Sequence, residues 1–383
     1  MMNYRHIIIG IENYNTLGLI RTLGESGIRP IVIMIKGTMR IASYSRWVGE
    51  ICYVKDIEEA ADVLDMNYID KSIKDIFLYT NDDLSTQYFD CLYEKYKDLL
   101  YMYNAGETGR VTYYMDKYNV SMLAQECGLS VLKCWRVQNG EIPEDIEYPI
   151  ITKAISPNEG GWKKDVFVCH NEEELVLAYE KIKSRTVLLQ KYLKKKNELC
   201  IDGYSTDNGN TVVMTIASTY TYILPDKYSD AMIVSNYEDE ETKEKIQNMF
   251  KKIGYEGIFC LEFLISEDDE QFFCEINFRN SGWSYASTIA GMPLAIGWVN
   301  ATVGEFELDN AIKKISPEFT AIVEFADFDA RVRTGMISFR KWLKELVHAK
   351  CLFYIGRRDP KPTFMYIIIT GYNALKRRIF RKK

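Results

Sequence analysis

Short apolar runs alternate with helical patterns over the first hundred residues. His6–Ile9 reads as a strand, Thr16–Ser26 as a helix closed by Gly27, and Arg29–Ile35 and Asp75–Tyr79 as further strands. That rhythm predicts a parallel sheet with crossover helices. The turn after the first strand, Gly10-Ile11-Glu12-Asn13-Tyr14-Asn15, holds a single glycine. A dinucleotide-binding turn would want glycine at 12 and 15 as well, where Glu12 and Asn15 stand, so that cofactor reading is weak.

Beyond a helical stretch at 107–128 the pattern changes. Alternating runs at 131–137, 150–155, 165–169, 187–193, 199–205, 211–219, 258–265 and 272–278 read as strands, with helices at 172–182 and 240–253. Such mixing predicts antiparallel sheets. The expected fold class is therefore α/β with an α+β portion. Its divisions are 1–106, 107–305 with a subdomain at about 130–192, and a mostly helical segment at 306–383.

Composition narrows the function classes. The chain has 383 residues, 47% hydrophobic and 27% charged, which is an ordinary globular balance. A net charge of −6 argues against nucleic acid as the main partner. Nine cysteines lack metal-type spacing, and Cys52, Cys91, Cys127 and the rest read as buried small hydrophobes of a reducing compartment. Three histidines make a histidine-built zinc site a poor expectation. No apolar run is long enough for a membrane span or a signal peptide, so a cytoplasmic location is expected.

The sharpest chemical signal is a hairpin: Gly257–Ile265, a polar turn, then Phe272–Asn280. A turn centred between Asp268 and Asp269 sets Glu262 directly across from Glu275, with Asn277 and Arg279 on the same face. A three- or five-residue loop would shift that register by one. The other face would collect Phe263, Ile265, Phe272, Cys274 and Ile276. Opposed carboxylates repel by about several tenths of a kcal/mol. A divalent cation between them removes that cost, and two carboxylates with an amide oxygen suit Mg²⁺. The competing reading is the solvated outer face of a hairpin.

Lys153 lies in an otherwise apolar strand, where its ammonium needs an anion, and a phosphate would serve. Residues 156–165 form a loop with Gly160, Gly161 and two lysines, able to close over phosphates but without the Walker spacing. Gln190, Lys191 and Leu193 end a strand whose edge could meet adenine, with Glu198 reaching a ribose hydroxyl. Lys194–Lys196 guard that edge against aggregation.

Taken together and in this order, these residues resemble the ATP-grasp superfamily over nearly the whole chain. The resemblance implies an N-terminal parallel-sheet pre-ATP-grasp domain, a central lid subdomain and a C-terminal antiparallel ATP-binding lobe. It implies Glu262, Glu275 and Asn277 as metal ligands, and Arg279 as the arginine that follows them. Lys117 and Lys153 become phosphate lysines, 156–165 the lid, Gln190, Lys191 and Leu193 the adenine hinge, and Glu198 the ribose acid. Within the superfamily the chain looks most like carboxylate–amine ligases related to D-aspartate ligase and the carbamoyl-phosphate synthase large subunit. Asn15–Gly24, Ser43–Trp47 and the Asp82-Asp83 turn carry that likeness. Gln190 stands where many relatives have glutamate, and Cys260 where some D-alanine ligases have arginine.

The implied reaction activates a carboxylate as an acyl phosphate for attack by an amine, with ATP and Mg²⁺ or Mn²⁺ as cofactors. Lys153 and Arg279 would be the catalytic side chains. Phosphoryl transfer of this kind needs position and charge neutralisation more than a nucleophile. A carboxylase or carbamoyl-type enzyme acting on bicarbonate, and a nucleotide-binding module without catalysis, remain as alternatives. Partners are then small-molecule carboxylates and amines, with a homodimer left open. Lys376–Lys383, six basic residues in eight, reads as a solvated helical end or as a contact with anionic lipid at the inner face of the membrane.

Overall fold

The computed structural model describes residues 4–37, 40–156, 162–224, 228–305 and 308–380. Among them three sheets form. The first is parallel, in the order β3-β2-β1-β4-β5, from β1 (Arg5–Ile11), β2 (Ile31–Ile35), β3 (Glu50–Val54), β4 (Ile76–Thr80) and β5 (Leu100–Tyr101). Its crossover helices include α1 (Tyr14–Glu25), α2 (Ile57–Asn67) and α3 (Asp83–Cys91). Side chains at Asn13, Asp56 and Asp82 cap these three helices, each accepting from a first-turn N–H. The turn after β1 is filled by protein: Glu12 accepts from the Ser43 N–H and hydroxyl and from Tyr53. A carboxylate there would repel a pyrophosphate.

The second sheet is antiparallel, in the order β6-β9-β7-β8, from β6 (Cys134–Gln138), β7 (Ile150–Ala154), β8 (Val168–Cys169) and β9 (Thr186–Lys191). The expected strand at 165–169 is mostly absent. Trp162–Asp165 is a 3-10 turn, and the buried Asp165 accepts from Lys183, Ser184 and the Ser184 hydroxyl. An aspartate that caps neighbouring backbone favours such a turn over a ladder.

The third sheet has the order β14-β13-β10-β11-β12-β15-β16. Its strands are β10 (Asn197–Thr206), β11 (Thr211–Tyr220), β12 (Ala231–Ser235), β13 (Gly257–Ile265), β14 (Gln271–Asn277), β15 (Phe319–Ile322) and β16 (Cys351–Leu352). It is antiparallel except for the β15–β16 pair. Two of its strands come from the segment after 305, which the sequence pattern read as mostly helical.

Trp298 is the keystone between the first and third sheets. It is buried in the helix Leu294–Thr302, edge-on to Phe77 and Tyr79 of β4 and close to Tyr103. Gly297 lets that helix approach β10: a Cβ there would sit 2.5 Å from the Tyr204 ring. The C-terminal segment is tied back through Arg21. This buried guanidinium of α1 pairs with Asp359 at 3.1 Å and donates to the Phe353 and Tyr354 carbonyls. Asp359 also accepts from the Ser45 hydroxyl and the Arg46 N–H. Trp47 packs on Gly24, where a Cβ would meet it at 2.2 Å. Much of the stretches that carry the subgroup likeness, Asn15–Gly24 and Ser43–Trp47, therefore fastens α1 to the chain's end.

Candidate active site

The β13–β14 hairpin does set Glu262 opposite Glu275, but by a different route from strict alternation. Ser266 N bonds Glu270 O, and Ile265 pairs with Gln271, so the loop has five residues and the register near the turn is shifted by one. A β-bulge between Glu262 and Phe263 absorbs the shift. Two consequences correct the expected faces. Phe273, not Phe272, enters the core against Phe263, and Cys274 turns toward the site, 4.0 Å from the Lys153 ammonium.

Charged groups from three regions converge on this hairpin. Lys117, first residue of the helix Lys117–Glu126, is positioned by the Asp116 cap and by its own N–H on the Ile155 carbonyl. Its ammonium pairs with Glu275. Asn277 donates to Glu262 at 2.9 Å and accepts from Arg279 at 3.1 Å. Arg279 forks onto Asp83 at 2.7 and 3.1 Å, joining the hairpin to the first turn of α3. Lys153 of β7 donates to the Gln190 amide oxygen at 2.8 Å. The Gln190 side chain, expected at the adenine hinge, is thus held by the lysine expected at the phosphates. Glu198, buried at the start of β10, pairs with Lys195.

The two opposed carboxylates are pushed apart in proton affinity. Burial raises Glu262 to about 8, with Glu275 and Glu198 adding to it against Lys117 and Arg279. Burial acts on Glu275 too, but Lys117 outweighs it and holds that carboxyl below its ordinary value. Burial likewise opposes charge on Lys117 and Arg279, and Glu275 and Asp83 respectively outweigh it. Lys117, with Lys153 and Arg279 farther off, favours the charge on Glu275, and Glu262 is left as the carboxyl that holds its proton. Such a pair, with an amide oxygen beside it, suits a hard divalent cation in its oxygen donors and in its shortage of positive charge.

Lys191 ends β9, its ammonium 3.4 Å from Glu147, and Leu193 lies in the connection to β10 that joins the second and third sheets. Lys194 and Lys196 pair with Glu267 and Asp269 of the hairpin turn. Gly160 and Gly161, at the centre of the expected lid, lie outside the described residues. The nine cysteines are free, but they are not uniformly buried: Cys91 is exposed and Cys274 is half-buried at the site.

Sequence reasoning missed Asp83 as the partner of Arg279, though the Asp82-Asp83 turn was visible. In the segment that follows, Ser281 and Ser284 donate to the buried Asp202 at 2.6 Å, and Ser287 bonds Thr215. Those hydroxyls serve Asp202 Oδ1 and Thr215 of the sheet itself.

A parallel sheet, a small antiparallel sheet and a large antiparallel sheet, with lysines and carboxylates meeting between the last two, define the ATP-grasp architecture. The chain belongs to the enzyme family described as carbamoyl-phosphate synthase L chain, ATP binding domain, whose sequence model matches residues 116–309, just over half of the chain. A curated relative, the 2-oxoglutarate carboxylase small subunit of Hydrogenobacter thermophilus, is 25% identical over 149 residues, covering 36% of this chain and 31% of that protein. Among solved structures, the N5-carboxyaminoimidazole synthetase of Staphylococcus aureus superposes with a TM-score of 0.65 at 16% identity, over 89% of this chain and 88% of that one. An L-amino acid ligase from Bacillus licheniformis gives 0.64 at 14% identity, over 84% and 80%. The biotin carboxylase domain dimer of the Hydrogenobacter 2-oxoglutarate carboxylase, solved with MgADP, ADP and bicarbonate, gives 0.64 at 18%, over 84% and 75%. At these identities the structural likeness is one of fold.

Proposed function

We propose that this protein uses Mg-ATP, or Mn-ATP, to activate a carboxylate as an acyl phosphate for attack by an amine, releasing ADP and phosphate. The observation that carries the reading is the convergence of Glu262, Glu275 and Asn277 with Lys117, Lys153 and Arg279 across two sheets. Glu262, Glu275 and Asn277 would hold the metal, which would supply charge neutralisation for the transferring phosphoryl group. Lys117 and Lys153 hold phosphate oxygens. Gln190, Lys191 and Leu193 flank the adenine, Glu198 accepts from the ribose, and the loop at 156–165, with Gly160 and Gly161, excludes water. Arg279, oriented by Asp83, steadies the acyl phosphate and the tetrahedral oxyanion. The divisions 1–106, 107–305 and 306–383 belong to the same proposal; the change of sheet after β5 supports the first boundary, whereas the third sheet runs across the second through β15 and β16.

The test is a Glu275→Gln variant assayed for conversion of ATP to ADP. Activity should disappear while circular dichroism stays unchanged, and near-normal turnover in a folded variant would sink the metal assignment.

A second reading, phosphorylation of bicarbonate, is favoured by the relatives named as carboxylases and N5-carboxyaminoimidazole synthetases. ADP formation that depends on bicarbonate and not on an amino acid would establish it. As for location, no helix among the described residues is long and apolar enough to cross a membrane. We retain peripheral contact with anionic lipid as a proposal. The helix Lys361–Phe380 leaves Phe364, Ile367, Ile368 and Tyr372 more than half exposed, at helical spacing, and its sequence runs on into the basic residues 376–383.

A further inference from the structure

Next to the opposed carboxylates, the same face of the third sheet carries two thiols that the reaction above does not use. On β10 and β13, Cys200 lies directly across from Glu262, and Asp202 directly across from Cys260. The two thiol sulfurs and a Glu262 carboxylate oxygen all fall within 4.8 Å of one another. Both cysteines are buried.

Buried cysteines are usually small hydrophobes. Here the surroundings are polar in a way that reading leaves unexplained. Ser218, opposite Cys200 on β11, has a buried hydroxyl with no hydrogen-bond partner. Asp202 Oδ2, opposite Cys260, is buried with no nitrogen or oxygen partner and has only the Cys260 thiol beside it. Buried polar atoms are nearly always satisfied, so an unpartnered hydroxyl and a carboxylate oxygen that meets only a thiol, beside a second thiol and Glu262, make a donor set suited to a cation.

Two sulfurs and one carboxylate oxygen are a poor set for Mg²⁺, which wants oxygen throughout. They suit a thiophilic divalent cation, which accepts mixed sulfur and oxygen donors in tetrahedral geometry with metal–sulfur distances of about 2.3 Å. The fourth position would fall to a water held by Asp202 or Ser218. We propose that Cys200, Cys260 and Glu262 form a binding site for a zinc-type cation, which takes Glu262 away from the Mg²⁺ set. The shared use of Glu262 rests on the function proposed above; the thiol site itself does not.

Cadmium is the probe. Titrated into nucleotide-free protein, it should give one equivalent per chain and the ultraviolet charge-transfer absorption of thiolate–cadmium bonds. Cys200→Ser and Cys260→Ser should each weaken binding by about a hundredfold or more, whereas Cys91→Ser should not change it. X-ray absorption on the cadmium-loaded wild-type protein needs no variant, and should count two sulfur neighbours. Absorption unchanged in both buried-cysteine variants, or a sulfur count of zero, would overturn the site. Zinc should also inhibit Mg-ATP turnover, less so in Cys200→Ser. Cadmium bound through both thiols without any zinc inhibition would uphold the site and overturn the place of Glu262 among the Mg²⁺ ligands.

Discussion

Glu262→Gln should stabilise the metal-free protein at alkaline pH while abolishing its activity. In the folded chain burial, with Glu275 and Glu198 adding to it, lifts Glu262 from 4.5 to about 8. The sign follows from proton counting. Between those two values the folded state keeps a proton that the unfolded chain has lost, so stability falls as pH rises through that window. A shift of that size corresponds to roughly 4–5 kcal/mol against the ionised form. Partial solvent access and coupling to Glu275 reduce what a substitution recovers to about 1–2 kcal/mol. Glutamine keeps an oxygen to accept from Asn277, whose amide donates to Glu262 at 2.9 Å. Thermal unfolding of metal-free wild type and variant, compared between about pH 6 and pH 8.5, reads the effect. The variant should melt about 2–4 °C higher at the alkaline end, with a smaller advantage at the acid end. Excess Mg²⁺ should flatten the wild-type dependence. A variant that melts lower than wild type at alkaline pH would refute the account of this carboxylate pair.

Arg21→Ala leaves Asp359 buried without its partner and frees two backbone carbonyls, so it should cost about 3–5 kcal/mol in denaturant unfolding. Lys153→Met should raise the KM for ATP by at least about tenfold with the fold intact, and an unchanged KM would remove Lys153 from the phosphate site. Removing 376–383 should weaken sedimentation with anionic vesicles, and identical binding by the truncated and full chains would end the lipid proposal.

The carboxylate pair was legible because the hairpin's two strands are long and their alternation strong, and Glu262 and Glu275 do face one another. The placement of Cys274 and Phe273 was not. The five-residue turn and the bulge each shift the pairing by one residue, and their cancellation leaves no mark in a binary pattern. The parallel first sheet followed from the strand–helix rhythm. The strand at 50–54 was passed over because its residues Glu50-Ile51-Cys52-Tyr53-Val54 lie at a sheet edge and are only partly buried. Strands β15 and β16 were hidden by shortness, having four and two residues. Contacts such as Arg279 with Asp83, or Arg21 with Asp359, join positions far apart in sequence, and periodicity carries no information about them.

The most direct test of the central claim is phosphate release from Mg-ATP, screened against amino acids, dipeptides and bicarbonate, with Glu275→Gln as the control. The account predicts release that requires one carboxylate together with one amine and vanishes in the variant. Release driven by bicarbonate alone, or release that persists in Glu275→Gln, would contradict it.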